Sequence, residues 1–242
     1  MSTLVAPAKL TLSLRITGVR PDGFHELDAE MVTVDLVDEL TFAEGDGLEV
    51  VDETDGAGVA VPYGDANLVR RALRLVDRAA AVRLVKRIPA GGGLGGGSAD
   101  AAAVLRWAGV TDPAPAAELG ADVPFCLVGG RARVTGIGEI VEPLAFVERT
   151  VTLSTPPFGC STPAVYRRWD ELGGPTGSGP NDLEAAALAV EPRLARWRDR
   201  LGEATGETPI LAGSGSTWFV EGAHPACVAG ARVVRATPAF AG

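Results

Sequence analysis

A glycine-rich run at residues 91–97 is the part of the sequence best suited to bind a ligand. Six of its seven residues are glycine, and Leu94 is the exception. Ordering so many glycines costs conformational entropy, but glycine can adopt positive φ and bring bare backbone N–H groups against an anion. A predicted strand at residues 82–88 precedes the run, and a helix-forming segment with Ser98 as its predicted N-cap follows it. This order of strand, glycine loop and helix N-terminus predicts a phosphate-binding loop.

Three kinds of phosphate loop and one flexible alternative could account for this run. A Walker A loop ends in Gly-Lys-Ser/Thr, but no lysine follows Gly97. A dinucleotide-binding G-x-G-x-x-G loop requires a second strand ending in an acidic residue, whereas residues 109–115 are turn-like. A flexible linker would not need Leu94 or the apolar segments on either side. Residues 89–98 fit the third kind of loop, the P-x-x-x-G-L-G-(S/G)-(S/G) pattern of the GHMP kinases.

The composition indicates a globular chain with an acidic balance. Of its 242 residues, 46% are hydrophobic and 22% are charged, and the formal net charge is −9. That charge argues against a general nucleic-acid binder, which needs a basic face, but it is compatible with an anionic small molecule held by local positive charge. The sequence shows no signal-peptide pattern and no apolar run long enough to cross a membrane.

The cysteines and histidines predict neither disulfide bonds nor a zinc site. Cys126, Cys160 and Cys227 are odd in number and widely separated, and no Cys-x-x-Cys pair or Cys/His cluster occurs. We therefore expect reduced thiols and a cytoplasmic protein. Its expected partner is a small-molecule substrate, without nucleic acid or membrane, and its expected state is a monomer or homodimer.

The spacing of apolar residues along the chain predicts the strands and helices that would position the loop. Alternating residues predict a half-buried strand at 3–16, and helical spacing predicts a helix at 67–81. Residues 20–23 are typical of a turn, and residues 173–179 of a flexible loop. Further strands are predicted at 31–36, 39–42, 48–51, 131–135, 150–154, 210–212 and 217–220, and further helices at 116–128 with a break at Gly120, at 163–171 and at 181–201. This order predicts an α+β fold of two lobes, residues 1–147 and 148–242.

Three further segments resemble one enzyme family when taken with the glycine loop. They are a strand with Lys9 followed by Arg-Pro-Asp-Gly-Phe-His-Glu-Leu at 20–27, Leu-Gly-Ala-Asp-Val-Pro-Phe-Cys-Leu at 119–127, and Gly-Ser-Gly-Ser-Thr at 213–217. In this order they resemble the 4-diphosphocytidyl-2-C-methyl-D-erythritol kinases of the GHMP superfamily. The resemblance implies an N-terminal lobe like domain 2 of ribosomal protein S5 (ribosomal-protein-S5-domain-2-like) and a ferredoxin-like C-terminal lobe. It also implies transfer of the γ-phosphate of ATP, with Mg²⁺, to the 2-hydroxyl of that substrate in the non-mevalonate isoprenoid route.

The resemblance assigns catalysis to Lys9 and Asp122. Lys9 matches the family's lysine beside the acceptor hydroxyl and the γ-phosphate, although a lysine on a strand is usually a side chain that reaches solvent. Asp122 matches the catalytic aspartate, and it also stands where a helix N-cap is expected, with Pro124 in the first turn. A helix N-terminus and a nearby lysine would both favour the ionised carboxylate. Asp122 could therefore orient the acceptor hydroxyl as well as accept its proton.

The nucleotide would lie on the glycine loop. The loop residues expected to contact ATP are Pro89, Ala90, Gly91, Gly92, Gly93, Leu94, Gly95, Gly96, Gly97, Ser98 and Ala99. Ser98 would either cap the helix or reach a phosphate or Mg²⁺. Asn67 matches a family position near the nucleotide base, although an Asn before a helix is also an ordinary cap. Residues 213–216 would close over the phosphates, although the same sequence suits a tight turn.

The same resemblance implies a site for cytosine. Phe24 and His25 match an aromatic–histidine pair that stacks on the base and hydrogen-bonds to its edge. Tyr166 matches a second aromatic on the opposite face, although its helical spacing also suits core packing. Thr162 matches a substrate contact. Thr11 stands where the family usually has Asn, and its hydroxyl would still offer the substrate a hydrogen bond.

Two other functions remain open on the sequence. One is a GHMP kinase for mevalonate, homoserine or a sugar, against which the Phe24–His25 pair argues because none of those contains a base. The other is a non-catalytic nucleotide-binding regulator with the same fold, against which the presence of both Lys9 and Asp122 argues.

Overall fold

Ten strands and six α-helices make up the part of the chain that the structure, a computed structural model, describes: residues 1–62, 64–174, 177 and 179–240. The strands are β1 (Ser2–Val19), β2 (His25–Ala43), β3 (Gly47–Asp52), β4 (Ala81–Lys86), β5 (Arg131–Gly136), β6 (Ile140–Pro143), β7 (Thr150–Ser154), β8 (Ile210–Leu211), β9 (Trp218–Glu221) and β10 (Arg232–Thr237). The helices are α1 (Leu68–Leu75), α2 (Gly96–Trp107), α3 (Val123–Val128), α4 (Thr162–Glu171), α5 (Glu184–Val190) and α6 (Leu194–Thr205), with 3-10 turns at Gly64–Ala66 and Pro115–Glu118. The α+β prediction is confirmed.

A long antiparallel hairpin of β1 and β2 forms the spine of the sheet. The two strands pair from Ser2 with Phe42 to Val19 with His25, around the predicted turn at 20–23. The two strands predicted at 31–36 and 39–42 are parts of β2, because its ladder with β1 continues through the intervening residues. The predicted strand at 3–16 is confirmed, but residues 6–11 are buried in succession instead of alternating.

The free edge of β2 links the rest of the sheet to this hairpin. β5, β10 and β4 pair side by side with successive parts of β2. The sheet continues in the order β3-β4-β2-β10-β7-β9-β8, and β3 and β4 are its parallel pair. Strand β10, near the C-terminal end of the chain, therefore lies between elements of both predicted lobes.

Two hydrophobic clusters lie against this sheet. Helices α1, α2 and α3 cover the hairpin half, where Leu10, Leu84 and Leu105 are fully buried. Helices α4, α5 and α6 enclose the second cluster, which takes Leu14 and Ile16 from β1. The first cluster in turn includes residues of β7, β9 and β10. The two halves thus share their cores, and the division of the chain at residue 147 remains a prediction.

Several predicted boundaries were wrong for local reasons. The helix predicted at 181–201 is two helices, because Glu191 precedes Pro192 and is extended, with φ −132° and ψ 83°. The helix predicted at 67–81 ends at Leu75, since Asp77 adopts a positive φ of 49°. The short strands β6 and β10 were not predicted. Of the loop predicted at 173–179, residues 175, 176 and 178 lie outside the described residues. None of the described helices is both long and apolar enough to cross a membrane.

Three buried charged side chains connect the strand before the glycine run to the helix after it. Lys86, at the end of β4, donates to Asp38 of β2 and to Asp100 of α2, the latter at 2.7 Å. Asp38 Oδ1 also accepts the backbone N–H groups of Arg87 and Ile88, at 2.5 and 2.8 Å. Asp100 Oδ1 is buried and has no hydrogen-bond partner among the residues that the structure describes. Burial raises the pKa of Asp100 from 3.8 to about 7, against the opposing charge of Lys86.

This raised pKa predicts how Asp100→Asn changes stability with pH. Between pH 3.8 and about 7 the folded protein keeps a proton that the unfolded chain releases, so the ionisation of Asp100 lowers stability as pH rises through this window. Asparagine has no such ionisation. We expect the free energy of unfolding of the variant, measured in urea, to increase relative to wild type between about pH 5 and about pH 8.

The matched control is Asp46→Asn, which changes an exposed aspartate and should give the same difference from wild type at both pH values. A difference for Asp100→Asn that does not change with pH would contradict the prediction.

Candidate active site

A cavity of about 780 Å³ brings together almost all the predicted site residues. Its wall is formed by the glycine loop, β1, the turn after β1 and α4. The predicted residues that line it are Lys9, Thr11, Phe24, His25, Asn67, Pro89, Ala90, Gly91, Gly92, Gly93, Leu94, Gly95, Gly96, Gly97, Ser98, Asp122, Thr162 and Tyr166. Ala99 lies behind this wall, where its N–H donates to Gly95 O and closes the first turn of α2.

The backbone of the glycine loop is shaped to receive an anion. Gly91, Gly93 and Gly95 have φ of 71°, 78° and 66°, and the residues between them have negative φ. Such alternation turns successive N–H groups toward one concave side. Within the described part of the chain, the N–H groups of Gly93, Leu94 and Gly95 have no acceptor. Together with the unpaired N–H groups at the start of α2, they form a cradle of donors.

The prediction of Ser98 as the helix cap was wrong. The N-cap residue of α2 is Gly95, whose left-handed conformation starts the helix before Ser98. Ser98 lies instead in the first turn, and its hydroxyl, which has no partner among the described residues, belongs to the cavity wall. This arrangement leaves the Ser98 side chain free for a ligand.

Close backbone contacts hold the loop in place and exclude a flexible linker. Leu94 is fully buried, and its carbonyl accepts the N–H of Lys9 at 3.0 Å. A Cβ at Gly95 would lie 2.7 Å from Lys9 Cγ. A Cβ at Gly93 would overlap the carbonyl oxygen of Ala212 and lie 2.8 Å from that of Gly215. Glycine is therefore required where β1 and residues 212–215 approach the loop.

Lys9 and Asp122 form an ion pair at the floor of the cavity. Lys9 Nζ is 3.2 Å from Asp122 Oδ2 and donates to Thr11 Oγ1 at 3.0 Å. Irregularities in the β1–β2 register between Pro7 and Lys9, and again after Thr11, bracket these side chains. Bulges of this kind redirect side chains next to functional sites. The Lys9 side chain is buried, whereas that of Asp122 is 32% exposed, so the carboxylate can reach a ligand.

The alternative prediction, that Asp122 is a helix N-cap, is correct for its place in the chain but not for its hydrogen bonds. Asp122 is the residue before α3, yet its side chain makes no capping hydrogen bond. Its carboxylate is thus directed to Lys9.

Asn67, in contrast, caps helix α1 with its side chain. Its Oδ1 accepts the N–H of Val69 and its Nδ2 donates to Pro62 O, both at 2.9 Å. Contact of Asn67 with a nucleotide base remains a prediction.

A second lysine lies at this site and was not predicted. The chain has two lysines, Lys9 and Lys86, and both line the cavity and are buried. Asp100, the ion-pair partner of Lys86, also lines it. The sequence did offer signals for both residues. Lys86 is a charged residue at the end of an apolar strand, and Asp100 is an aspartate within an alanine-rich helix.

The other end of the cavity is aromatic. Tyr166 packs against His25 with ring centroids 4.8 Å apart and planes inclined by 41°. His25 Nε2 lies 2.8 Å from Asp170 Oδ1, and Trp169 meets the imidazole edge-on at 5.5 Å. Phe24 is 57% exposed on the same cavity wall. Asp170 was not predicted, although it follows Tyr166 by four residues and so shares its helix face.

Charge connects the two ends of the cavity. Burial, and then the negative charge of Asp122, raise the pKa of Tyr166 to about 12. The phenol therefore keeps its proton at physiological pH.

Hydrogen bonds hold the loop at 213–216 beside the cavity. Thr162 Oγ1 lies 2.7 Å from Ser214 Oγ and links α4 to this loop. Asn181 donates to the carbonyls of Leu211 and Gly213, at 2.8 and 2.7 Å, and so fixes that loop beside Lys9.

Curated relatives share most of the chain. The family model described as GHMP kinases N terminal domain matches residues 67–130. The chain is 39% identical to the 4-diphosphocytidyl-2-C-methyl-D-erythritol kinase of Paracoccus denitrificans, over 97% of this chain and 93% of that protein. It is 38% identical to the kinase of the same name from Salinispora arenicola, over 92% of this chain and 81% of that protein.

Solved structures agree with this relationship. A crystal structure of 4-(cytidine 5'-diphospho)-2C-methyl-D-erythritol kinase matches with a TM-score of 0.76 at 31% identity, over 97% of this chain and 99% of that one. A mevalonate kinase, at 11% identity and a TM-score of 0.57 over 99% of both chains, shares the fold alone. The predicted GHMP kinase fold is confirmed, and the chain belongs to the 4-diphosphocytidyl-2-C-methyl-D-erythritol kinase family of the GHMP kinases.

Proposed function

We propose that this protein transfers the γ-phosphate of ATP to the 2-hydroxyl of 4-diphosphocytidyl-2-C-methyl-D-erythritol, in the non-mevalonate route to isoprenoid precursors. The main support is one cavity that combines a cradle of backbone N–H groups, the Lys9–Asp122 pair and an aromatic end with His25. The names of the relatives support the same substrate.

The glycine loop and Lys9 would stabilise the transferring phosphoryl group. Phosphoryl transfer has a loose transition state, so positioning and charge stabilisation account for most of the catalysis. The free N–H groups at 93–95 and the N-terminal end of α2 suit the phosphates. Lys9 lies against Gly95, so its ammonium is placed next to this cradle.

Asp122 would orient the acceptor hydroxyl and receive its proton. Its carboxylate is partly exposed to the cavity and is anchored by Lys9 on one oxygen. Thr11 also holds the lysine, because its hydroxyl accepts a hydrogen bond from Lys9 Nζ. We infer that Thr11 acts on the substrate mainly through Lys9.

The residues present also fit Mg²⁺, which proteins often bind through one or two groups and the phosphates of the nucleotide. Among the described residues there is no cluster of three or more acidic, His or Cys side chains that could hold a metal by itself. The unpartnered hydroxyl of Ser98, in the first turn of α2, would hold the ion from the protein side. When bound, Mg²⁺ would neutralise part of the negative charge on the phosphates.

The aromatic end would bind the cytidine part of the substrate. Tyr166 is half-buried and neutral, and Phe24 is exposed on the same wall, so both can offer a ring face to the base. Arg167 lines the cavity and has no acidic partner in the described part of the chain, so it is available to a diphosphate. The three cysteines are unpaired, in keeping with the proposed cytoplasmic location.

The first test is substrate dependence. With MgATP, we expect ADP formation in a coupled assay only when 4-diphosphocytidyl-2-C-methyl-D-erythritol is added, because the other small-molecule acceptors have no base for the aromatic end. Mevalonate, homoserine and a hexose serve as controls. Equal turnover of one of these acceptors would overturn the assignment in favour of another GHMP kinase activity.

The second test removes the two charged groups at the floor of the cavity. Lys9→Ala and Asp122→Asn should each lower kcat by about 10²-fold or more, since each removes a preorganised charge or a proton acceptor. The dissociation constant of ATP, measured by calorimetry, should change little because the loop holds the phosphates.

Asp46→Asn, at an exposed position, is the control and should match the wild type. Loss of ATP binding together with loss of turnover would instead assign Lys9 and Asp122 a structural role.

The third test concerns the aromatic end. Stacking on a base contributes about 1–3 kcal/mol, so Tyr166→Ala should raise KM for the cytidine substrate by about 5- to 150-fold, with a smaller effect on kcat. Tyr166→Phe keeps the ring and should stay near wild type. Cytidine diphosphate should compete with the substrate and not with ATP. An unchanged KM in Tyr166→Ala would leave Tyr166 as a packing residue.

A further inference from the structure

The two ring nitrogens of His25 have different surroundings. Nε2 lies 2.8 Å from Asp170 Oδ1, whereas Nδ1 has no partner in the described part of the chain. The side chain is 9% exposed and lines the cavity. Tyr166 packs against the imidazole at a tilt of 41° and Trp169 is nearly perpendicular to it, so the ring has little freedom to rotate. The free nitrogen is therefore the one available to a ligand.

The partner of Nε2 decides what Nδ1 can do. An ionised carboxylate accepts hydrogen bonds and cannot donate one, so Nε2 must carry the proton of this contact. In the neutral imidazole, Nδ1 is then an acceptor. Cytosine presents an exocyclic amino donor on its edge, where a uracil-like base presents a carbonyl acceptor. An acceptor at Nδ1 matches the first and opposes the second.

We propose that Asp170 is a positioning residue for base specificity: it holds the proton of His25 on Nε2, so that Nδ1 accepts a hydrogen bond from the amino group of cytosine and rejects uracil. This inference rests on the proposed function, since that function supplies the cytidine-containing substrate. Asp170 does not touch the reacting atoms; it acts through His25. Its place on α4, one turn after Tyr166, joins the stacking residue and the partner of His25 on one rigid element.

The kinetic test compares two bases. We expect the wild type to prefer the cytidine-diphosphate-linked substrate over its uridine analogue in kcat/KM, and Asp170→Asn and Asp170→Ala to reduce this preference by about tenfold or more. The change should appear more in KM for the cytidine substrate than in kcat. Glu171→Gln is the matched control, because the next residue of α4 pairs with Arg168 at 2.9 Å and should leave the preference intact.

A spectroscopic test reads the proton directly. The chain has two histidines, His25 and His224, so the ring ¹⁵N resonances can be assigned with His224→Asn. We expect a protonated Nε2 and an unprotonated Nδ1 on His25 in the wild type, and a mixture of tautomers in Asp170→Asn. A wild-type His25 with Nε2 unprotonated, or with both nitrogens protonated, would overturn the inference.

Binding of cytidine diphosphate and uridine diphosphate, measured by calorimetry, separates this inference from the proposed function. If the wild type turns over neither substrate, the proposed function fails, while the binding preference and the ¹⁵N spectrum still test Asp170. If turnover is normal but the preference is unchanged in Asp170→Ala, the role of Asp170 is wrong and the proposed function stands.

Discussion

The contact between the glycine loop and the edge of β1 is the constraint on which the site depends. Lys9 donates its backbone N–H to Leu94, and the Lys9 side chain crosses directly over Gly95. One strand thus fixes the loop with its backbone and supplies the lysine with its side chain. The ammonium is placed beside the N–H cradle by this backbone hydrogen bond, by the packing of the side chain on Gly95 and by the ion pair with Asp122. A side chain at position 95 would separate the two.

The second half of the chain completes the site from the opposite side. Residues 212–215 press against Gly93, and Asn181 fixes the same segment through two carbonyls. Helix α4 then adds the aromatic end of the cavity. The two hydrophobic clusters keep these segments in fixed positions relative to each other, because β1 contributes Leu10 to one cluster and Leu14 to the other. The groups proposed for catalysis and base binding therefore lie on one continuous sheet or on helices packed against it.

Local sequence signals predicted much of this arrangement. The glycine run, Lys9 and Asp122 were found because phosphate loops are defined by residues adjacent in the chain and because the surrounding segments resemble a known family. Lys86 and Asp100 were missed: each stands out in its own segment, but the contact between β4 and α2 that joins them is not visible in the sequence. Ser98 was wrongly predicted as the helix cap because the start of α2 also depends on a contact between distant segments. It has the chemistry of a cap, but the left-handed backbone of Gly95, required by the approach of β1, starts the helix earlier.

The distribution of lysine has a practical consequence for chemical labelling. Every lysine or arginine outside the cavity is an arginine, because both lysines of the chain line it. Burial acts to lower the pKa of Lys86, but Asp100 and Asp38 raise it overall, so this amine remains protonated and a poor nucleophile. An acylating group attached to a nucleotide would meet no lysine on the outer surface of the described chain. Lysine acylation would then report that the reagent had entered the cavity, because both lysines of the chain line it.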